Sequence, residues 1–368
     1  MSVISHEKEP ANTLLFPGKI GVITEPVFVN EYTCRSVNNL IKKYGPEKIA
    51  HITWSADFLT NQKKMTETIN ALAADREIKA LIINQAVPGT CAAVADLKST
   101  RDDIFVTFCS MHEDVKETIA NAHLLLMQNV IGMGSAIVRQ AKKQGAKVFV
   151  HYSFPRHMEV KVWADRREVI RETCKIEGLQ YVDATSLDPT KEAGISGARQ
   201  FILEDVPKLV TKYGEDTAFF STNCAQQAPL IKSVIDCHAI YSQSCCPSPY
   251  HGFPEALGIE AEEGVSDLNQ LITEACRIAA EKGMTDRLST WPVSIPMLLT
   301  NVSVEYAIRW IRGEVAKTGV NDQVLEDCIN EYVNGIVGEG VEVEMTSYSE
   351  NGISYDNFKL LLMSYLDF

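Results

Sequence analysis

Short apolar runs rich in β-branched residues recur along this chain with amphipathic segments between them, the pattern of βα units wound around parallel sheets. The first half predicts strands at Lys19–Thr24, Lys48–Trp54, Ala80–Gln85, Ile104–Cys109 and Leu124–Gln128. Between the second and third, Asn61–Asp75 places Met65, Ile69 and Leu72 at i, i+4, i+7 and so on one helical face. After residue 130 the alternation starts again. A helix over Ile131–Gln144 ends at Gly145, and strands follow at Lys147–Tyr152, Leu179–Asp183, Thr217–Thr222 and Ser233–Tyr241, with helices at Arg166–Glu177 and about Gly197–Tyr213. Pro207 falls inside the last helix, as a first-turn residue or a kink.

Two Pro-bounded segments interrupt the pattern, Ser244 to Pro254 and Ser289 to Pro296, and each reads as a hinge between lobes because proline lacks a donor and restricts its predecessor. Beyond them come a polar helical stretch over Ser266–Gly283, a helix face of Val304, Ile308 and Ile311, and a final edge strand at Val341–Met345. At 368 residues the chain exceeds one comfortable core, and two lobes are expected. A flexible arm is assigned to residues 1–17, an N-terminal lobe to 18–129 plus 248–290, and a C-terminal lobe to 130–247 plus 291–368.

A formal charge of −13 gives the surface a field that repels phosphate backbones, so no nucleic-acid partner is expected. No apolar stretch is long enough to span a bilayer or form a signal peptide. A cytoplasmic location is therefore expected of the chain as written, with an exported lipoprotein whose leader was removed as the alternative. The ten cysteines lie mostly in apolar runs without a C-x-x-C pair and read as reduced thiols.

In open α/β sheets ligands bind beyond the carboxyl ends of the strands. The residues there are Thr24 and Glu25, Trp54, Gln85, Ser110 and His112, Asn129, Ser153, Phe154 and Arg156, and Asn223 and Cys224. Gln85 offers an amide donor and acceptor before the Pro88-Gly89 turn, with Thr90 placed to cap the next helix. Ser153-Phe154-Pro155-Arg156-His157 sets a hydroxyl, an aromatic wall and a cation directly after a strand, a clamp for an acidic or hydroxylated ligand; a surface ion pair is the other reading of Arg156. The turn Thr24-Glu25-Pro26-Val27 lacks the glycines of a dinucleotide site, Ile131-Gly132-Met133-Gly134 matches that motif at only two glycines, and no P-loop occurs, so no cofactor is expected. Cys237-His238, Cys245-Cys246 and His251 suggest zinc only superficially, since their spacings match no familiar structural site, and no metal is expected.

Laid out in this order, the chain resembles the type I periplasmic-binding-protein superfamily, which includes sugar and nucleoside receptors and the effector domains of some repressors. The resemblance rests on Gly18-Lys19-Ile20-Gly21-Val22-Ile23-Thr24, on Gln85 to Thr90, on Gln140 to Lys147 and on Asp216 to Asn223. More narrowly, Asn84 to Thr90, Ser153 to Met158 and Asp216 to Asn223 are similar to an uncharacterised bacterial family of that superfamily. The resemblance implies two Rossmann-like lobes with parallel-sheet cores joined by a three-crossing hinge, the crossings falling near Gln128-Asn129, Cys246–Pro249 and Thr290–Pro292. The resemblance also places the Cys245-Cys246 turn, hence Cys246, and Trp291 among the ligand contacts, and Cys224 and Cys246 stand where sugar receptors often carry Asp, which argues against a sugar. The roughly 17 residues before the first strand are too few for a helix-turn-helix.

The expected function is a non-enzymatic solute receptor that closes two lobes on a small polar ligand, such as a nucleoside, a polyol or an amino-acid derivative. It would serve uptake with an ABC transporter if exported, or sensing. The alternatives are a cleft enzyme using Cys224 and His238 as nucleophile and base, and an intracellular sensor or scaffold acting through a protein partner.

Overall fold

The computed structural model describes residues 16–27, 29–58, 61–260 and 268–368. The chain divides into two units. Unit 1 holds the chain up to Met127 with Leu299–Cys328 and Ser347–Lys359; unit 2 holds Gln128–Leu298, Ile329–Thr346 and Leu360–Phe368.

Unit 1 is built from β1 (Lys19–Thr24), α1 (Glu31–Tyr44), β2 (Ile49–Thr53), α2 (Gln62–Ala73), β3 (Ile78–Asn84), α3 (Thr90–Lys98), β4 (Phe105–Cys109), α4 (Val115–Asn121) and β5 (Leu124–Gln128). These five strands pair in parallel, β2 to β1 to β3 to β4 to β5. Every residue of β4 and all but Lys79 of β3 are buried, which is why both read as continuous apolar runs rather than alternating ones. The helices between them start on side-chain caps: Asn30 accepts from Tyr32 N–H, Asn61 from Lys64 N–H, and Asp114 from the N–H groups of Lys116 and Glu117. Gly21 is set by close approach, since a Cβ there would lie 2.6 Å from the Leu72 side chain of α2.

Unit 2 follows with α5 (Gly132–Lys143), β6 (Val148–Ser153), α6 (Pro155–Met158), α7 (Lys161–Glu177), β7 (Gln180–Thr185), α8 (Gly194–Tyr213), β8 (Thr217–Ser221), a 3-10 turn at Cys224–Gln226, α9 (Gln227–Asp236), α10 (Phe253–Leu257), α11 (Leu268–Glu281) and β9 (Ser289–Thr290). Its parallel sheet has the order β7-β6-β8. Alternate residues of β6 face two cores, as the period of two in a strand requires. Val148, Val150 and Tyr152 pack with Ile202, Leu230, Val234, Phe253 and Ile278, while Phe149 packs with Ile137, Ile170 and Cys174. Gly134 lets α5 approach α7, because a Cβ would come within 2.9 Å of the Arg166 carbonyl oxygen. Of the two glycines in Gly132-Met133-Gly134, the second is thus explained by helix packing and the first by its close approach to the Asn129 side chain, 2.6 Å from where a Cβ would stand.

The chain closes with α12 (Ile295–Ile311), α13 (Asp322–Val337), β10 (Val343–Glu350), β11 (Ile353–Met363) and β12 (Leu366–Asp367). β11 and β10 extend the first sheet to seven strands in the order β10-β11-β5-β4-β3-β1-β2. β12 pairs antiparallel with β9.

Several expectations change. Ser233–Tyr241 is not a strand: α9 runs to Asp236, and what remains is a pair of single bridges, Ala218 to Ile240 and Tyr241 to Leu288. Its apolar residues Leu230, Ile231, Val234 and Ile235 have helical spacing, which the β-branched composition conceals. Residues 248–290 belong to unit 2 rather than to the N-terminal lobe, since Phe253, Leu257, Ala275 and Ile278 enter the core that also holds Val150 and Phe219. Cys246–Pro249 and Thr290–Pro292 therefore lie inside unit 2. The division after Met127 falls beside the expected Gln128-Asn129 crossing, and the next falls at Leu298/Leu299, within α12. Pro207 is the fourteenth residue of α8, well past the first turn. Of the arm assigned to residues 1–17, only 16 and 17 lie among the described residues, and Phe16 is buried edge-on to the Tyr44 ring at 5.9 Å.

Candidate functional site

β3 and β4 end side by side, with Asn84 opposite Cys109. The next residue of each strand takes the left-handed conformation, Gln85 at φ 51° and Ser110 at φ 55°. Non-glycine residues hold that conformation at a cost of about 1–3 kcal/mol, and such strain gathers at functional positions. The two turns are tied together: Gln85 N–H donates to the Cys109 carbonyl at 2.8 Å, and His112 N–H to that of Ala86 at 2.7 Å. Gln85 and Ser110 are half-buried and His112 is exposed, so all three present polar atoms at the end of the sheet. The helix that follows is capped by Glu113, whose carboxylate accepts from the N–H groups of Gly89 and Cys91, while Thr90 Oγ1 donates to the Val87 carbonyl.

The neighbouring strand ends are engaged internally. Thr24 is fully buried, its Oγ1 2.8 Å from His51 Nε2. Glu25 accepts from Thr33 Oγ1 and Asn30 Nδ2, and burial raises its carboxyl pKa above the ordinary range. Trp54 is buried, stacks on Phe58 and donates its indole N–H to the Asn84 carbonyl at 3.1 Å. A cavity of about 420 Å³ in unit 1, lined by residues including His123, Lys317 and Tyr355, lies at the amino end of β5 and hence at the opposite end of the sheet from Gln85 and Ser110.

In unit 2, Ser153 and Phe154 are buried at the end of β6. Arg156 makes a bidentate pair with Asp188, at 2.8 and 2.9 Å, and stacks over the Phe154 ring. Asn129 Oδ1 accepts from Gly132 N–H and Asn223 Oδ1 from Ala225 N–H, so both serve as caps of the turns that follow them. Trp291 is wholly buried.

The strongest constellation lies where β8 ends. Asn223 turns the chain into the 3-10 segment and brings Cys224 to the loop after Tyr241, where Cys245, Cys246 and His251 stand. The Cys224 Sγ is 3.4 Å from that of Cys245 and 4.0 Å from that of Cys246, and the latter two sulfurs are 4.0 Å apart. These separations far exceed the roughly 2.05 Å of a disulfide. Cys224 and Cys246 are exposed, Cys245 is buried and His251 is half-buried. His251 Nδ1 lies 3.0 Å from the Cys246 carbonyl oxygen, which can only accept, so Nδ1 is the donor and Nε2 is the nitrogen that offers a lone pair when the ring is neutral.

A buried polar network fixes these residues. Tyr241 Oη donates to Gln227 Oε1 at 2.6 Å, Gln227 Nε2 donates to the carbonyls of Ser221 and Asn223, and Ser244 Oγ donates to the His251 carbonyl at 3.1 Å. The loop and the β8 turn are thereby held as one piece. The linear spacings gave no metal site because Cys224, the ligand-type residue that completes the group, arrives from 21 positions before Cys245 through the sheet. The Cys224–His238 pair is not assembled. The two flank the ten-residue α9, whose length separates them by about 15 Å.

The family described as protein of unknown function (DUF3798) matches residues 18–289. An uncharacterized protein of Treponema pallidum (strain Nichols) is 31% identical over 218 residues, 59% of this chain and 99% of that protein. A structure from Clostridium difficile 630, provisionally assigned as a transcriptional regulator, superposes with a TM-score of 0.85 at 23% identity, covering 96% of this chain and 100% of its own. A sugar ABC transporter structure from Actinomyces odontolyticus ATCC 17982 has a TM-score of 0.54 at 10% identity, covering 81% of this chain and 84% of its own. Among the described residues no helix is long and apolar enough to cross a membrane. With its parallel-sheet cores and its match over most of its length, the chain belongs to the DUF3798 family and has the fold of the type I periplasmic binding proteins.

Proposed function

We propose that this protein is a solute receptor that binds a small polar molecule by closing its two lobes on it, and so serves uptake or sensing without catalysing a reaction. The observation that carries the reading is the paired left-handed backbone at Gln85 and Ser110, on adjacent strand ends of a fold shared with a sugar ABC transporter structure. The Gln85 amide and Ser110 hydroxyl supply hydrogen bonds to the ligand, and a nucleoside, polyol or amino-acid derivative fits that chemistry. If the protein is exported, an ABC transporter is its partner. A sensing role is favoured by the likeness to the Clostridium difficile structure, which covers nearly all of both chains.

The test is a thermal-shift screen of purified protein in a metal chelator against nucleosides, sugars, polyols and amino acids. One chemical class should raise the melting temperature by mass action, equivalent to about 2.7 kcal/mol at a hundredfold excess over Kd. Gln85→Gly should then abolish that shift while leaving the unliganded protein as stable or up to about 1–2 kcal/mol more so, because glycine takes a positive φ without strain. A screen with no shift in any class, or a Q85G protein that binds as tightly as wild type, would overturn the assignment.

A further inference from the structure

We propose that Cys224, Cys245, Cys246 and His251 form a tetrahedral site for a thiolate-preferring divalent cation of the zinc type, which fastens the loop after Tyr241 to the end of β8. The inference is independent of the receptor reading, since it requires no organic ligand.

Four observations support it. First, the ligand set is right in kind and number, three thiols and one imidazole, the composition of closed structural zinc sites. Second, the spacing is right. A tetrahedral ion with sulfurs at about 2.3 Å requires sulfur-to-sulfur edges of about 3.8 Å; the three edges here are 3.4, 4.0 and 4.0 Å, and all four ligand atoms lie within 4.8 Å of one another. Third, the histidine is pre-set for ligation: the Cys246 carbonyl holds the Nδ1 proton and leaves the Nε2 lone pair for the ion, as outer partners of metal-binding histidines do. Fourth, the charge is compensated. Three thiolates around a divalent ion carry a net charge of −1, and the buried guanidinium of Arg166 lies within electrostatic reach of Cys245 and Cys246. Arg166 stacks on Phe220 at 5.1 Å, and its Nε has no hydrogen-bond partner among the described residues, so its charge has no closer acceptor at that atom.

The adjacent pair Cys245-Cys246 is what hides this site in the sequence. Two consecutive residues can present both sulfurs to one ion only where the backbone is held irregular, and Pro247, Pro249 and the Tyr241–Gln227–Ser244 network hold it so. Binding takes the thiols as thiolates, their protons passing to the buffer.

The full chain, reduced with a phosphine and stripped with a chelator, is titrated with zinc chloride against a chromophoric chelator, and separately with cobalt(II). One zinc per chain is expected, with a cobalt spectrum showing thiolate-to-metal charge transfer and the visible bands of tetrahedral geometry. C224S, C245S and C246S should each remove one thiolate's share of the charge-transfer band. H251A should weaken zinc binding by at least the roughly 10–100-fold that loss of an outer partner costs. C237S and C276S, outside the group, should bind as wild type does. The wild-type cobalt spectrum decides even if a variant folds poorly, and far-ultraviolet circular dichroism of the metal-free variants identifies one that does. Absence of stoichiometric binding with all thiols reduced, or a C224S/C246S protein that retains the full cobalt spectrum, would overturn the site. So would an octahedral spectrum without charge transfer.

Discussion

His123 shows how a single ring can carry pH dependence into the fold. Its Nδ1 accepts the Val106 N–H at 3.0 Å, which only an unprotonated nitrogen can do, and the ring stacks on Phe105. Burial, with Lys98 and Lys317 adding to it, pushes its pKa down to about 4. The folded value lies below the ordinary one, so the stability His123 contributes is complete above about pH 6.5 and is lost as pH falls toward 4. His123→Asn keeps an acceptor but removes the titration. In urea melts the wild type should exceed H123N in stability at pH 7, and the gap should narrow steadily between pH 6.5 and 4; a gap that stays constant with pH would assign His123 a packing role alone. At this scale the sequence was legible where position along a strand decides the outcome. Gln85, Ser110, Cys224 and Arg156 all stand at or just past strand ends, as their order in the chain implied. What could not be read was which side chains the fold turns back on itself. Trp54 and Glu25 have partners that arrive from other elements, and Asp188, which pairs with Arg156, follows a different strand.

At the scale of elements, β1, β3, β4, β6 and β8 were legible because burial on both faces leaves short apolar runs with few alternatives. The C-terminal hairpin was only half legible. Val341–Met345 caught the start of β10, but β10 and β11 are joined by Asn351-Gly352, both with positive φ, at 52° and 79°. Asn-Gly between alternating segments is the strongest short signal for a two-residue hairpin, and it would have revealed β11. The polar residues of β10 and of the first half of β11 weaken the pattern on either side of it. Gly352→Ala should cost about 1 kcal/mol by forcing an alanine into the left-handed region. Chemical denaturation checks this, and the loss should be partly recovered by combining it with a shortened, glycine-containing turn. Pro207 in α8 shows the opposite limit: local preference argued against a continuous helix, and packing of Ile202 and Val206 into the core of unit 2 prevailed.

At the scale of the whole molecule, the decisive feature is that unit 1 is discontinuous. α12 is buried almost all round, and its residues tie into the first sheet and its helices: Thr300 Oγ1 donates to Asn84 Oδ1 at 2.9 Å, Asn301 bonds to Ser36, Ser303 meets the Cys109 thiol at 3.3 Å, and Glu305 accepts from Tyr44 at 2.7 Å. Sequence patterning registered α12 as one helical face, because a helix buried on nearly every side, its polar groups satisfied inside the fold, has no solvent-facing stripe to mark its orientation. A fragment ending at residue 291 retains essentially the whole family-matched span but lacks α12, β10 and β11. It should show no cooperative unfolding of unit 1 and weak amide-exchange protection in β3 and β4. A fragment as well protected there as the full chain would show that the C-terminal segments are dispensable to that core.

The order β10-β11-β5 also bears on how the chain is made. β5 ends at residue 128, yet the strand that covers its open side is not reached until residue 353. On the ribosome, every residue of unit 2 up to Leu298 emerges while the first sheet still exposes an unpaired apolar edge, and at about 5–20 residues per second that interval lasts on the order of ten seconds or more. The half of the protein that is translated first is thus completed only when nearly the whole chain has been made, and nascent chains of intermediate length are the species for which chaperone protection matters most.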